Sequence, residues 1–126
     1  MKVFIGAVLI IIILIVATFS LVAEVKETCE MVLTSADALE KSILERNGEN
    51  ARGILSEIQT EWNKRQPLLM AFTDHAELNM INERLTNIKS GLLYEDYPMM
   101  YKELAVLKEQ VKYVVKSAYP TPTNIL

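Results

Sequence analysis

The 21 residues from Val3 to Ala23, VFIGAVLIIIILIVATFSLVA, carry no charged side chain, whereas charges interrupt the apolar residues everywhere else in the chain. In a helix rising about 1.5 Å per residue this run reaches roughly 32 Å, enough to cross a hydrocarbon core of about 30 Å. The expectation is a transmembrane anchor over residues 1–23 that holds the rest of the chain at a cell membrane. A cleaved signal peptide competes with it, because Lys2 precedes the run and small residues lie near its end. The run is longer than the roughly 7 to 15 residues of a signal-peptide core, and cleavage after Ala23 puts Leu21 where a small residue is needed. Cleavage after Ser20, with Thr18 upstream, stays open. A lipoprotein is disfavoured, since the single cysteine, Cys29, follows Lys26, Glu27 and Thr28 instead of small apolar residues.

Lys2 flanks the run on one side and Glu24, Lys26, Glu27 and Glu30 on the other. The positive-inside rule then predicts a single-pass protein with a cytoplasmic N-terminus and residues 24–126 outside the cell. Those 103 residues hold 12 Lys and Arg against 16 Asp and Glu, a formal charge of −4. They suffice for one small domain with its own core. No clustered basic excess invites nucleic acid.

Beyond the run the apolar residues recur with helical period. Val25, Cys29, Val32, Ala36, Leu39 and Ile43 are spaced 4, 3, 4, 3, 4 and define one stripe. No Gly or Pro separates this stripe from the anchor, so the first helix can continue straight out of the bilayer. Asn47 and Gly48 are expected to stop it in the left-handed conformation. Ala51, Leu55, Ile58 and Trp62, widened by Ile54, form a second stripe that Pro67 should end or kink. Leu68 to Phe72 is apolar on all sides, and Thr73 or Asp74 can cap a third helix carrying Leu78, Ile81, Leu85, Ile88 and Leu92. Gly91 and the Tyr94–Asp96 stretch punctuate again, with Asp96 as cap and Pro98 near the start of a fourth helix. That helix carries Tyr101, Leu104, Leu107, Val111, Val114 and Ala118, and the YPTPT sequence from Tyr119 is expected to be extended.

Four amphipathic stretches with short connections predict an all-α fold, an antiparallel four-helix bundle over residues 24–119 followed by a tail over 120–126. A self-associating extended coiled coil is the alternative, weakened because each stripe lasts only two to three heptads. Charged pairs such as Asp37 with Lys41 and Glu61 with Arg65 are assigned to solvated outer faces. In an up-and-down bundle the Pro67 region and the end of the fourth helix lie toward the membrane. Lys64, Arg65, Leu69, Phe72, Lys112 and Lys116 are therefore candidate membrane-surface contacts, with Lys108, Lys112 and Lys116 as a ridge for headgroups or an acidic partner. The plainer reading of those lysines is complementation of a helix dipole. Tyr94, Tyr97, Met99, Met100 and Tyr101 gather at the far end as a candidate partner surface, since Met adapts and Tyr is apolar with a polar tip. Plugging the core is the competing role.

Chemistry is poorly supplied. His75 is the one histidine, and neither Asp74 nor Glu77 shares a helical face with it. There is no glycine-rich phosphate loop and no Cys or His set at metal-ligand spacing. Neither a cofactor nor a catalytic role is expected. Cys29 reads as a small core residue, with an intermolecular disulfide as the alternative.

The N-terminal span, Trp62, then Phe72 and His75 followed by Glu77 and Leu78, the Ile81 to Ile88 stripe and the Asn124–Ile125–Leu126 end together resemble an uncharacterised family of short membrane-anchored proteins from Firmicutes, notably clostridia. The resemblance brings no activity with it. Members of that family often neighbour a multi-span membrane protein, which implies a membrane partner, and a shared Asn-Ile-Leu end implies a tail packed back on the bundle. Two functions are in play: a non-enzymatic accessory or scaffold protein presenting its bundle to a membrane protein, or a sensor or carrier of a small apolar ligand or lipid.

Overall fold

The computed structural model describes residues 1–118. Four helices follow in order: α1 (Lys2–Leu44), α2 (Gly48–Phe72), α3 (His75–Leu93) and α4 (Tyr97–Ala118). No strand occurs among the described residues. α1 packs on α2, α2 on α3, α3 on α4 and α4 on α1, so the helices close a ring around one core. The fold is the all-α antiparallel bundle that the periodicity predicts. The expected tail lies outside the described residues.

Every residue of the first three stripes just named is buried, apart from the half-buried Ile54. α4 differs at its ends. Its stripe begins at Met100, while Tyr101 is turned outward and Ala118 is only half buried. At Met100, Gly91 lets α3 and α4 approach so closely that a Cβ there would stand 2.4 Å from Met100 Cγ.

α1 is one uninterrupted helix of 43 residues, about 64 Å long. Its core contacts begin only at Val22, and the large apolar residues of its first half, such as Phe4, Ile12 and Phe19, are exposed. One helix near the N-terminus is thus long and apolar enough to cross a membrane.

Two expectations about turns are corrected. α1 ends not on Asn47 or Gly48 but on Arg46, whose φ of 55° is left-handed. The Arg46 N–H donates to the Ile43 carbonyl and the Asn47 N–H to that of Ser42, the pair of bonds that closes a Schellman motif. Asn47 instead caps α2, its Oδ1 accepting from the Asn50 N–H at 3.1 Å. The α3–α4 turn repeats this construction, with Glu95 left-handed, Asp96 N–H bonded to the Gly91 carbonyl, and Asp96 Oδ1 accepting from the Met99 N–H.

Pro67, where the second helix is expected to end or kink, does not end it: it lies inside α2, which runs on to Phe72. An internal proline costs about 3 kcal/mol by removing a donor and crowding the carbonyl four residues back. Here Pro67 and Asn63 are both exposed, so water can satisfy the freed carbonyl. Continuing the helix also buries Leu69 completely and packs Phe72 on the core, and full burial of such side chains is worth about 1.5 to 3 kcal/mol each. Asp74 then caps α3, accepting from the Ala76 N–H at 3.0 Å.

Candidate functional site

Among the described residues, three surfaces bear on function: the two ends of the bundle and the seam between α2 and α3. At the end where α1 enters, Arg65 of α2 crosses to α1. Its guanidinium donates to Thr28 Oγ1 at 3.1 Å and lies 3.7 Å from the Glu24 carboxylate and 3.9 Å from that of Glu61. Arg65 is thereby committed within the bundle, while Lys64 beside it is exposed. Leu69, expected at a membrane surface, is core; Phe72 is half-buried.

The lysine ridge of α4 is divided. Lys108 reaches across to α1, 2.9 Å from Asp37 and also paired with Glu40. Burial opposes the charged ammonium, but hydrogen bonds to Asp37 and Glu40 outweigh it and hold Lys108 above the usual lysine range. Asp37 is thus engaged by Lys108, and its carboxyl is held low by that hydrogen bond. Lys112 and Lys116 remain exposed. Since Lys108 stands opposite about Ala38, antiparallel counting puts Lys116 and Lys112 about 10 and 16 Å beyond Ala23 along the axis.

At the far end the two Schellman turns meet. The Tyr97 hydroxyl donates to the Arg46 carbonyl at 3.3 Å, and the Arg46 guanidinium lies 5.8 Å from the centre of the Tyr97 ring. Gly48 leaves room for this, because a Cβ there would come within 2.9 Å of the Tyr97 hydroxyl. Of the candidate partner residues, Tyr94 is 77% exposed and Tyr101 is exposed, Met99 and Tyr97 are half-buried, and Met100 is fully buried. Met100 therefore belongs to the core and not to a docking surface. Leu44 and Leu93, last residues of their helices, add exposed apolar area here.

The seam between α2 and α3 went unnoticed in the sequence. The helices join at Thr73 and Asp74 and open toward the far end into a groove of about 550 Å³. Leu55 and Leu92 form its floor, Leu93 and Tyr94 one wall, and Ser56, Thr86 and Ser90 are too small to fill it. Arg52 and Lys89 border it with no acidic residue among its lining. In a chain with 16 acids and 13 bases, that local reversal of sign is the groove's chemical signature. The one sequence signal was Leu93, an apolar residue just off the α3 stripe.

Polar bonds inside the bundle serve packing. Trp62 Nε1–H donates to Asn82 Oδ1 at 2.9 Å, which satisfies the indole where it is fully buried. Arg84 and Asn87 both donate to Glu103 Oε2. Burial alone would raise the Glu103 carboxyl, but these hydrogen bonds hold it below the usual range. Cys29 is buried and its thiol is pushed up to about 12 by desolvation, with the Glu30 charge adding to it. A disulfide between copies would require the bundle to open. His75 is exposed at the start of α3, and no cluster of three metal-ligating side chains occurs among the described residues.

Residues 19–125 match the domain of unknown function DUF4363. The chain belongs to this family. The matched region takes in the whole bundle and begins within the last turns of the exposed apolar arm. Among curated proteins and among solved structures, nothing matches the chain.

Proposed function

We propose that this DUF4363 protein is a non-enzymatic, membrane-anchored accessory protein that presents its bundle to a membrane protein partner. One observation carries the reading: the exposed apolar arm and the core-forming stripe are two halves of a single helix. About 20 exposed apolar residues are not stable in water, since each buried methylene is worth about 0.8 kcal/mol. A lipid bilayer is the solvent that suits them, with Lys2 at the cytoplasmic edge and the bundle on the extracytoplasmic side. Sharing a bilayer with its partner removes much of the search, so a modest patch suffices for docking. Leu93 and Tyr94, beside the α2–α3 groove, supply that patch.

The groove also favours a second reading, a carrier of an amphiphile with an anionic head. Leu55 and Leu92 would receive the apolar part, and Arg52 and Lys89 the charge.

The test is a cross-linking pull-down of the full-length chain from native membranes, beside a version lacking residues 2–23 and a Leu93→Glu/Tyr94→Glu double variant. Both residues are exposed, so the double variant keeps its helical circular dichroism. Recovery of one membrane protein from the intact chain alone, with at least tenfold loss in both variants, supports the accessory role. Recovery unchanged in the double variant refutes this docking surface. Recovery of an anionic lipid that depends on Arg52 and Lys89 transfers the function to the carrier reading.

A further inference from the structure

The register between α1 and α2 is fixed along their whole contact. Asn50 meets Ser42 near the far end, Arg65 meets Thr28 and Glu24 lower down, and Val22 and Leu69 are both buried lower still. Counting down the two antiparallel helices from these pairs sets Phe72 opposite about Ser20 and the Thr73–Asp74 turn opposite about Thr18. α2 therefore does not stop where the apolar run of α1 gives way to charge at Glu24. It overlaps the last turn and a half of that run.

This overlap has a consequence for bilayer thickness. The part of α1 below the turn, Val3 to Ala17, is only about 22 Å long, against a hydrocarbon core of about 30 Å. Residues 18–23 add about 9 Å and complete the crossing. A bilayer of ordinary thickness that covers Val3 to Ala23 must then also receive the end of α2. Thinning the bilayer instead costs a fraction of a kcal/mol for each ångström of mismatch.

The end of α2 is composed for that place. No charged residue occurs from Gln66 to Thr73. Met70 is 46% exposed, Ala71 is exposed, and Leu68 and Phe72 are half-buried. Lys64 and the Arg65–Glu24–Glu61 group lie just above, at headgroup height. Asp74 at the tip has its carboxylate engaged by the Ala76 N–H.

Resting on the anchored reading of α1, we propose that the α2–α3 turn is a second membrane contact. Met70, Ala71 and Phe72 enter the boundary between phospholipid headgroups and acyl chains, and the bundle sits on the bilayer instead of standing off on a stalk. The contact is apolar. The neighbouring charges are mixed, Glu24, Glu27, Asp74 and Glu77 beside Lys26, Lys64 and Arg65, and give it no preference for anionic lipid.

The test uses the full-length chain in phosphatidylcholine vesicles, spin-labelled singly at Met70→Cys, with Ala71→Cys as a second site in case the first disturbs packing. Cys29 takes no label, being fully buried with its thiol pushed up to about 12. Ile12→Cys reports the middle of the arm and Glu57→Cys the aqueous flank of α2. The labels at 70 and 71 should collide severalfold more with oxygen than with a water-soluble nickel chelate, as at Ile12 and opposite to Glu57. Labels at 70 and 71 behaving like Glu57, while Ile12 stays oxygen-favoured, overturn the second contact and leave the anchor standing. A nickel-favoured Ile12 overturns the anchor and this proposal with it.

Discussion

From Val3 to Leu21 the residues of α1 are exposed with only Gly6 half covered, and from Val22 to Ile43 nine of 22 residues are buried, although the helix itself does not change. The backbone is the same in both halves, so hydrogen bonding cannot separate them. The difference lies in what each half requires of its surroundings. The second half finds its apolar partners in α2 and α4. Among the described residues the first half has no such partner. On the proposed anchored reading, stability and placement rest on separate stretches of one helix, and each should be breakable without the other.

The largest expected effect falls on the bundle. Trp62→Ala removes a fully buried indole and orphans the Asn82 carbonyl oxygen, and should cost about 3 to 5 kcal/mol. Thermal unfolding by circular dichroism checks it, and the variant should still pellet with membranes. Ile12→Arg should do the reverse. A charge at the centre of a membrane-crossing helix costs about 2.5 to 3.5 kcal/mol, so the membrane-bound fraction should fall while the bundle melts at its usual temperature. Unchanged membrane retention would sink the division of roles.

The smallest effect is a pH dependence confined to the bundle. Because the Glu103 carboxyl is held below its unfolded value, its contribution is present above the ordinary carboxylate range and is lost as pH falls through its folded value. The melting temperature should decline in the acid range, more shallowly in Glu103→Gln. An identical decline in both proteins would assign acid sensitivity elsewhere, with Asp37, also held low, the next group to change.

What was legible in the sequence is what periodicity encodes. The stripes of α1, α2 and α3 name the core almost residue for residue, because 3.6-residue spacing is a local property. The turns were read less well. Arg46 and Glu95 adopt left-handed backbone without being glycine, since the Schellman bonds and the caps that follow fix them from both sides. The expectation of an end or kink at Pro67 follows from a local cost, whereas Leu69 burial, which offsets it, depends on the fold. The Lys108 pairs with Asp37 and Glu40 and the α2–α3 groove are set by how helices distant in sequence lie side by side. No spacing rule contains that information.

The absence of any break at Ala23 and Glu24 gives α1 a mechanical meaning. A helix without proline or glycine at the junction has no hinge there, so motion of the arm is not absorbed before it reaches the bundle. The bundle rises about 35 Å from Ala23 to the Arg46 turn, and an arm tilted by about 10° would carry that turn sideways by about 6 Å. Rotation about the axis would pass through undiminished. A partner gripping the far end would therefore feel the angle at which the arm is held, and the chain would act as a lever as well as a tether.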